Sequence, residues 1–146
     1  MMRVSKKMII QTASDIADKN GLNSVSLKTV ADKLNIKTPS LYNHIKSLAE
    51  LLREVAHNGM RVMNERMSKV AIGKTGIEAI QLISIEYLNY MIEHPGIYET
   101  IQWAGWNGTE ETSIIFNDYL SLLTILIQSC NLNEDKTTEI LNMLTG

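Results

Sequence analysis

Between Lys37 and Ser47 the chain reads KTPSLYNHIKS, which sets Thr38, Ser40, Tyr42, Asn43 and His44 between two lysines, Lys37 and Lys46. Hydroxyl, amide and imidazole groups at this spacing offer donors and acceptors to the polar edges of another molecule, and the lysines offer charge to phosphates. A helix that only packs shows apolar residues at i, i+3, i+4 and i+7. This stretch has only Leu41 and Ile45 to bury. The chemistry on offer is recognition, since amide and hydroxyl side chains pair with base edges in a major groove while cations and hydroxyls meet the backbone. The sequence carries no glycine-rich phosphate loop, no His-Glu metal motif and no nucleophile with an evident base, so an enzyme is not expected.

Three short elements must position those residues. Ser5 is placed to cap a first helix over about residues 5–20, with Ile9, Ala13, Ile16 and Ala17 on one face and Gly21 as its left-handed C-terminal cap. Ser26 is placed to cap a second helix with Leu27, Val30, Ala31 and Leu34 on one face. Asn35 then stands where the chain turns, a residue that tolerates the left-handed conformation. Thr38 can cap a third helix with Pro39 at its first position. The spacing has helix-turn-helix dimensions, in which Ala31 must be small, Ile36 fills the turn, and Leu41 and Ile45 anchor the third helix. Thr38, Ser40 and Asn43 would then face base edges, with Lys37, Tyr42, His44 and Lys46 near phosphates. Ser26, Lys28 and Thr29 would bring the N–H groups of the second helix to a further phosphate. With Pro39, these eleven residues are the candidate DNA-contacting set.

Charge is divided along the chain. Residues 1–57 hold nine Lys and Arg against five Asp and Glu, a net +4, whereas residues 58–146 hold five against eleven, a net −6. A basic module suits a nucleic-acid reader. It equally suits a solvated face, so on spacing and charge two readings stand: a DNA-binding regulator, or a helical protein-interaction module that uses its basic face on an acidic partner. The 146 residues are 45% apolar, enough for a folded core. No secretory leader and no apolar run of bilayer length is evident, so a cytoplasmic location away from membranes is expected. The lone Cys130 excludes an intrachain disulfide and reads as a small apolar residue. His44, His57 and His94 are too far apart for a local metal motif, so no metal and no cofactor are expected.

Past Ser47 the periodicity predicts long helices over 48–72, 77–94 and 109–130, a shorter one through Ile97 and Trp103, and a last one over 134–146. Met60, Met63, Met67, Tyr87, Tyr90, Met91, Trp103, Trp106, Phe116 and Tyr119 supply the adaptable apolar and aromatic groups that suit a small-molecule pocket, although the same residues at helical spacing also serve as plain core. From Ile114 to Ile127 the chain is apolar on most of its circumference, which suits burial on one side and a partner chain on the other.

The stretch from about Lys7 to Leu52 resembles the TetR/AcrR family of bacterial transcriptional regulators. Leu41-Tyr42-Asn43-His44-Ile45, following Thr38-Pro39-Ser40, is similar to the family's Leu-Tyr-x-His-Phe signature, and Tyr87 to Tyr98 is similar to the His-Pro-Gly-x-Tyr junction of a subgroup with a WHG-type C-terminal domain. The resemblance implies an all-α fold with a helix-turn-helix DNA-binding domain over 1–47 and a helical effector-binding and dimerisation domain over 48–146, incomplete at its C-terminus. It implies a repressor that binds a double-stranded DNA operator as a homodimer in the full-length protein and is released by a small apolar or amphipathic effector. It also implies backbone contacts for the positions of Tyr42 and His44, and groove contacts for those of Lys37, Thr38, Ser40 and Asn43. Asn35 stands for the usual Gly, Ile45 for the usual Phe, and Leu48 for a phosphate-binding Lys, which leaves Lys46 to supply that charge.

Overall fold

The computed structural model describes residues 3–130, 138–140 and 142–143, and every regular element among them is helical. In chain order these are α1 (Lys6–Asn20), a 3₁₀ turn (Leu22–Ser24), α2 (Leu27–Lys33), α3 (Thr38–Leu41), α4 (Leu48–Ala71), α5 (Gly76–Glu93), α6 (Pro95–Asn107) and α7 (Glu110–Gln128). The expected helix over 134–146 falls mostly outside the described residues; 138–140 and 142–143 are helical. Two compact units form, Met1–Gly59 with Glu93–Thr112, and Met60–Ile92 with Ser113–Gly146. The packing therefore divides elsewhere than at residue 47: the start of α4 and all of α6 join the three N-terminal helices.

In the first unit the local signals are realised as hydrogen bonds. Ser5 Oγ accepts from the Met8 N–H at 3.2 Å, and the Gly21 N–H closes α1 on the Ala17 carbonyl at 2.8 Å with φ at 90°. Ser26 and Thr29 form a reciprocal capping box at the start of α2. Asn35 takes φ 55°, and the Ile36 N–H reaches back to the Ala31 carbonyl at 3.0 Å, so the turn ends α2 in the manner that Gly or Asn allows. Ile9, Ala13, Val30, Ala31, Leu41 and Ile45 meet in the core. Burying each of the larger ones, Ile9, Val30, Leu41 and Ile45, contributes roughly 1.5–3 kcal/mol.

α6 is joined to α1 by its own first turn. Asp18 Oδ1 accepts from the Gly96 and Ile97 N–H groups at 2.9 and 3.0 Å, and Asp18 Oδ2 pairs with His94 Nδ1 at 2.6 Å. A carboxylate at a helix N-terminus meets two unsatisfied donors and the positive end of the dipole. At Gly96 the two backbones approach so closely that a Cβ there would lie 1.9 Å from the Ala17 carbonyl carbon. Only glycine fits.

The second unit is built on Met60, Met63 and Met67 of α4, Ile83 and Tyr90 of α5, and Ile115, Tyr119, Leu123 and Ile127 of α7, all buried. Gly73 and Gly76 take positive φ in the turn between α4 and α5. On α5 Ile77, Ile85, Leu88 and Ile92 form an exposed stripe at helical spacing. Cys130 is half-buried, its thiol 3.6 Å from the Leu126 carbonyl. Among the described residues no helix is long and apolar enough to cross a membrane.

Candidate nucleic-acid interface

The third helix is shorter than its sequence suggests. One regular turn spans Thr38–Leu41, with Lys37 as an N-cap that makes no side-chain bond, in place of the expected Thr38 cap. The chain then tightens: the Asn43 N–H reaches the Ser40 carbonyl at 3.4 Å and the His44 N–H the Leu41 carbonyl at 2.9 Å. Ser40 and Asn43 are both exposed on this turn. The chain cannot stay helical through residue 47, because Ser47 caps α4, its Oγ accepting from the Glu50 N–H at 3.1 Å.

Leu41 and Ile45 are buried, and the candidate contact residues Lys28, Lys37, Pro39, Ser40, Tyr42, Asn43 and Lys46 are exposed, while Ser26, Thr29, Thr38 and His44 are half-buried. The structure thus brings Lys37 to Lys46 onto one anchored element, with Tyr42 55% exposed. Ser26 and Thr29 are different in kind. Their hydroxyls are engaged with each other and with the α2 backbone at 2.9–3.1 Å, so what this end offers a phosphate is backbone N–H and Lys28.

Glu50 was not singled out from the sequence. Its Oε2 accepts from the Lys46 N–H at 2.8 Å, its own N–H is taken by Ser47, and Lys6 Nζ lies 4.0 Å from its Oε1. The start of α4 is thereby occupied by the chain's own carboxylate, in the place where Leu48 replaces the expected Lys. Glu at the third helical position after Ser47 is the signature that reveals it. Asp18 has no such local signature, since its partners lie 76 to 79 residues away.

The ten candidate pocket residues divide. Met60, Met63, Met67, Tyr90 and Tyr119 are buried in the second unit, and Tyr87 and Met91 are half-buried there. Tyr87 stacks on Tyr119 with ring centroids 6.3 Å apart, and Phe116, itself exposed, tilts against Tyr119 at 6.1 Å. Burial holds the Tyr119 hydroxyl above its ordinary titration range, and neighbouring Tyr87 adds to the effect. Trp103 and Trp106 lie in α6, in the first unit. Trp103 is half-buried, whereas Trp106 is 93% exposed and is no interior wall of this chain: it falls at the end of α6, beyond the packed face. Two surface depressions, one along α7 beside Leu120 and Ile125 and one between α1 and α2 beside Ile16 and Lys33, contain none of the ten.

No family model matches the sequence. A helix-turn-helix transcriptional regulator of Bacillus subtilis, YobS, is 31% identical over 134 residues, which cover 92% of this chain and 69% of YobS. A TetR-family transcriptional regulator from Streptomyces coelicolor superposes with a TM-score of 0.71 at 14% identity, over 98% of this chain and 78% of that one. BioQ solved with its double-stranded DNA operator superposes at 0.57 and 16% identity, over 98% of this chain and 96% of that one.

Proposed function

The chain belongs to the helix-turn-helix transcriptional regulators and has the fold of the TetR family, and from that premise we propose that α2 and α3 read a double-stranded DNA operator. The observation that carries this reading is the division of labour around α3, where Leu41 and Ile45 are sealed in the core and Lys37, Ser40, Tyr42, Asn43 and Lys46 all stand outside it. Ser40 and Asn43, both exposed, are suited to base edges; Asn pairs with adenine through two bonds, and a good bidentate pair discriminates by about 1–3 kcal/mol. Lys28, Lys37, Tyr42, His44 and Lys46 position the helix on the backbone without reading sequence. BioQ, whose fold this chain shares, was solved with a double-stranded DNA operator, which supports DNA as the partner.

A homodimer reading two half-sites about 34–36 Å apart is the assembly that this geometry serves, with the second unit supplying both self-association and the effector site. The exposed stripe on α5 and the Met60, Met63, Met67, Tyr90 and Tyr119 cluster support those two roles respectively. A small apolar or amphipathic effector that prefers one arrangement of the dimer shifts its equilibrium and releases the operator, which makes the protein a repressor. The test is fluorescence anisotropy against the DNA upstream of its own gene. Wild type binds one site in preference to scrambled DNA, and Tyr42→Ala and Asn43→Ala both weaken it. Equal binding to scrambled DNA, unaffected by either change, favours the protein-interaction module instead.

A further inference from the structure

The first unit holds a cluster of side chains that DNA reading does not use. Glu54 and His57 on α4, and Glu111 in the first turn of α7, place one ligand atom each within 4.8 Å of one another. Glu54 and His57 are three residues apart and so share a face of α4. His57 is 2% exposed, Glu54 is half-buried and Glu111 is exposed, so the cluster runs from the core to the surface. Its centre is the imidazole. Nδ1 lies 3.8 Å from Glu111 Oε2, and Nε2 lies 2.6 Å from Thr112 Oγ1, an oxygen that also accepts the Thr109 N–H at 3.0 Å.

We propose that Glu54, His57 and Glu111 bind a divalent transition-metal cation of the zinc class. One imidazole nitrogen with two carboxylates is a donor set suited to zinc and its neighbours, whereas calcium and magnesium are held by oxygen alone. Thr112 serves as the outer partner that a metal-bound histidine requires. With Nε2–H donated to Thr112 Oγ1, the ring is fixed in orientation and Nδ1 presents its lone pair toward the carboxylates. Donor atoms about 2.0–2.2 Å from zinc sit roughly 3–3.5 Å apart, so the cluster, all within 4.8 Å, closes by drawing its donor atoms together by roughly 1–2 Å at most. Two carboxylates and a neutral imidazole carry the charge that a dication neutralises. Lys6 Nζ, 3.9 Å from Glu54 Oε2, supplies part of that charge in its place. Three protein donors leave a position for water, which makes the site exchangeable, as a sensor's must be.

The site would clip the first half of α4 to the first turn of α7, inside the unit that carries α2 and α3. The experiment is a calorimetric titration of ZnCl2 into the full chain in the absence of DNA, with CaCl2 and MgCl2 as comparisons. We expect one zinc per chain at micromolar concentration, no comparable binding of calcium or magnesium, and at least tenfold weaker zinc binding in Glu111→Gln. That variant changes an exposed side chain and keeps the fold, whereas His57→Gln alters a buried one. His94→Gln serves as the comparison for the other histidine beside carboxylates, and leaves the affinity unchanged. Absence of binding, equal affinity for calcium, or zinc affinity indifferent to Glu111→Gln overturns the proposal. None of these outcomes bears on operator recognition.

Discussion

α3 and α5 both turn side chains outward, and those side chains are of opposite chemistry. Around α3 the exposed groups are Lys37, Ser40, Tyr42, Asn43 and Lys46, on an element of one regular turn held by Leu41 and Ile45. Along α5 the exposed groups include Ile77, Ile85, Leu88 and Ile92, on an 18-residue helix. A polar rim satisfies itself in water until a ligand replaces the water, so its presence on so short a helix points to recognition. An apolar stripe gains only when it is covered. The difference separates two kinds of surface that burial alone would class together.

The polar surface depends most on its anchor. Leu41→Ala removes a fully buried side chain beneath α3 and should cost about 2–5 kcal/mol of stability, measured by urea unfolding, with operator binding lost in parallel. A loss below 1 kcal/mol would mean that α3 is held by something other than its two apolar residues. Asn43→Ala should leave unfolding unchanged and cost about 1–3 kcal/mol of discrimination at one base pair, read by anisotropy across a panel of single-base operator variants. A uniform loss over the panel would move Asn43 from base reading to the backbone. Lys37→Ala should weaken all sequences alike and lower the slope of log K against log salt by about 1; an unchanged slope takes Lys37 off the phosphates. On the other surface, Leu88→Glu should change stability by no more than about 0.5 kcal/mol. Its effect is on self-association, and sedimentation velocity that shows no shift toward monomer removes α5 from the assembly.

What could be read in the sequence was local. The Ser5 cap, the Ser26 start, the left-handed Asn35 and the burial of Leu41 and Ile45 each depend on neighbours within a few residues, and all appear in the structure. The end of α3 is not legible in the same way: Leu41 and Ile45 are spaced as on one helix, yet regular helix stops at Leu41 and the chain reaches Ile45 through turns. Residue type and helical spacing nominate pocket residues without placing them. Type distinguishes Met67, fully buried, from a charged residue, but it does not distinguish Tyr119 in a core from Trp106 at the end of α6. Long-range partners were beyond reach in principle. Three histidines far apart in sequence exclude a local motif, yet they say nothing of His57 meeting Glu111, 54 residues on, any more than Asp18 announces the start of α6.

The glycine at position 96 bears on motion as well as on packing. Where two helices meet through side chains, rotamers can turn and take up part of any displacement between them. α1 and α6 meet at Ala17 and Gly96 with no side chain interposed, and Asp18 pins the joint on both sides through His94 and the Gly96 and Ile97 amides. Such a joint has no slack. A shift of α6 along its axis would have to take this end of α1 with it or break those bonds, and α1 packs in turn on α2, the helix that holds α3.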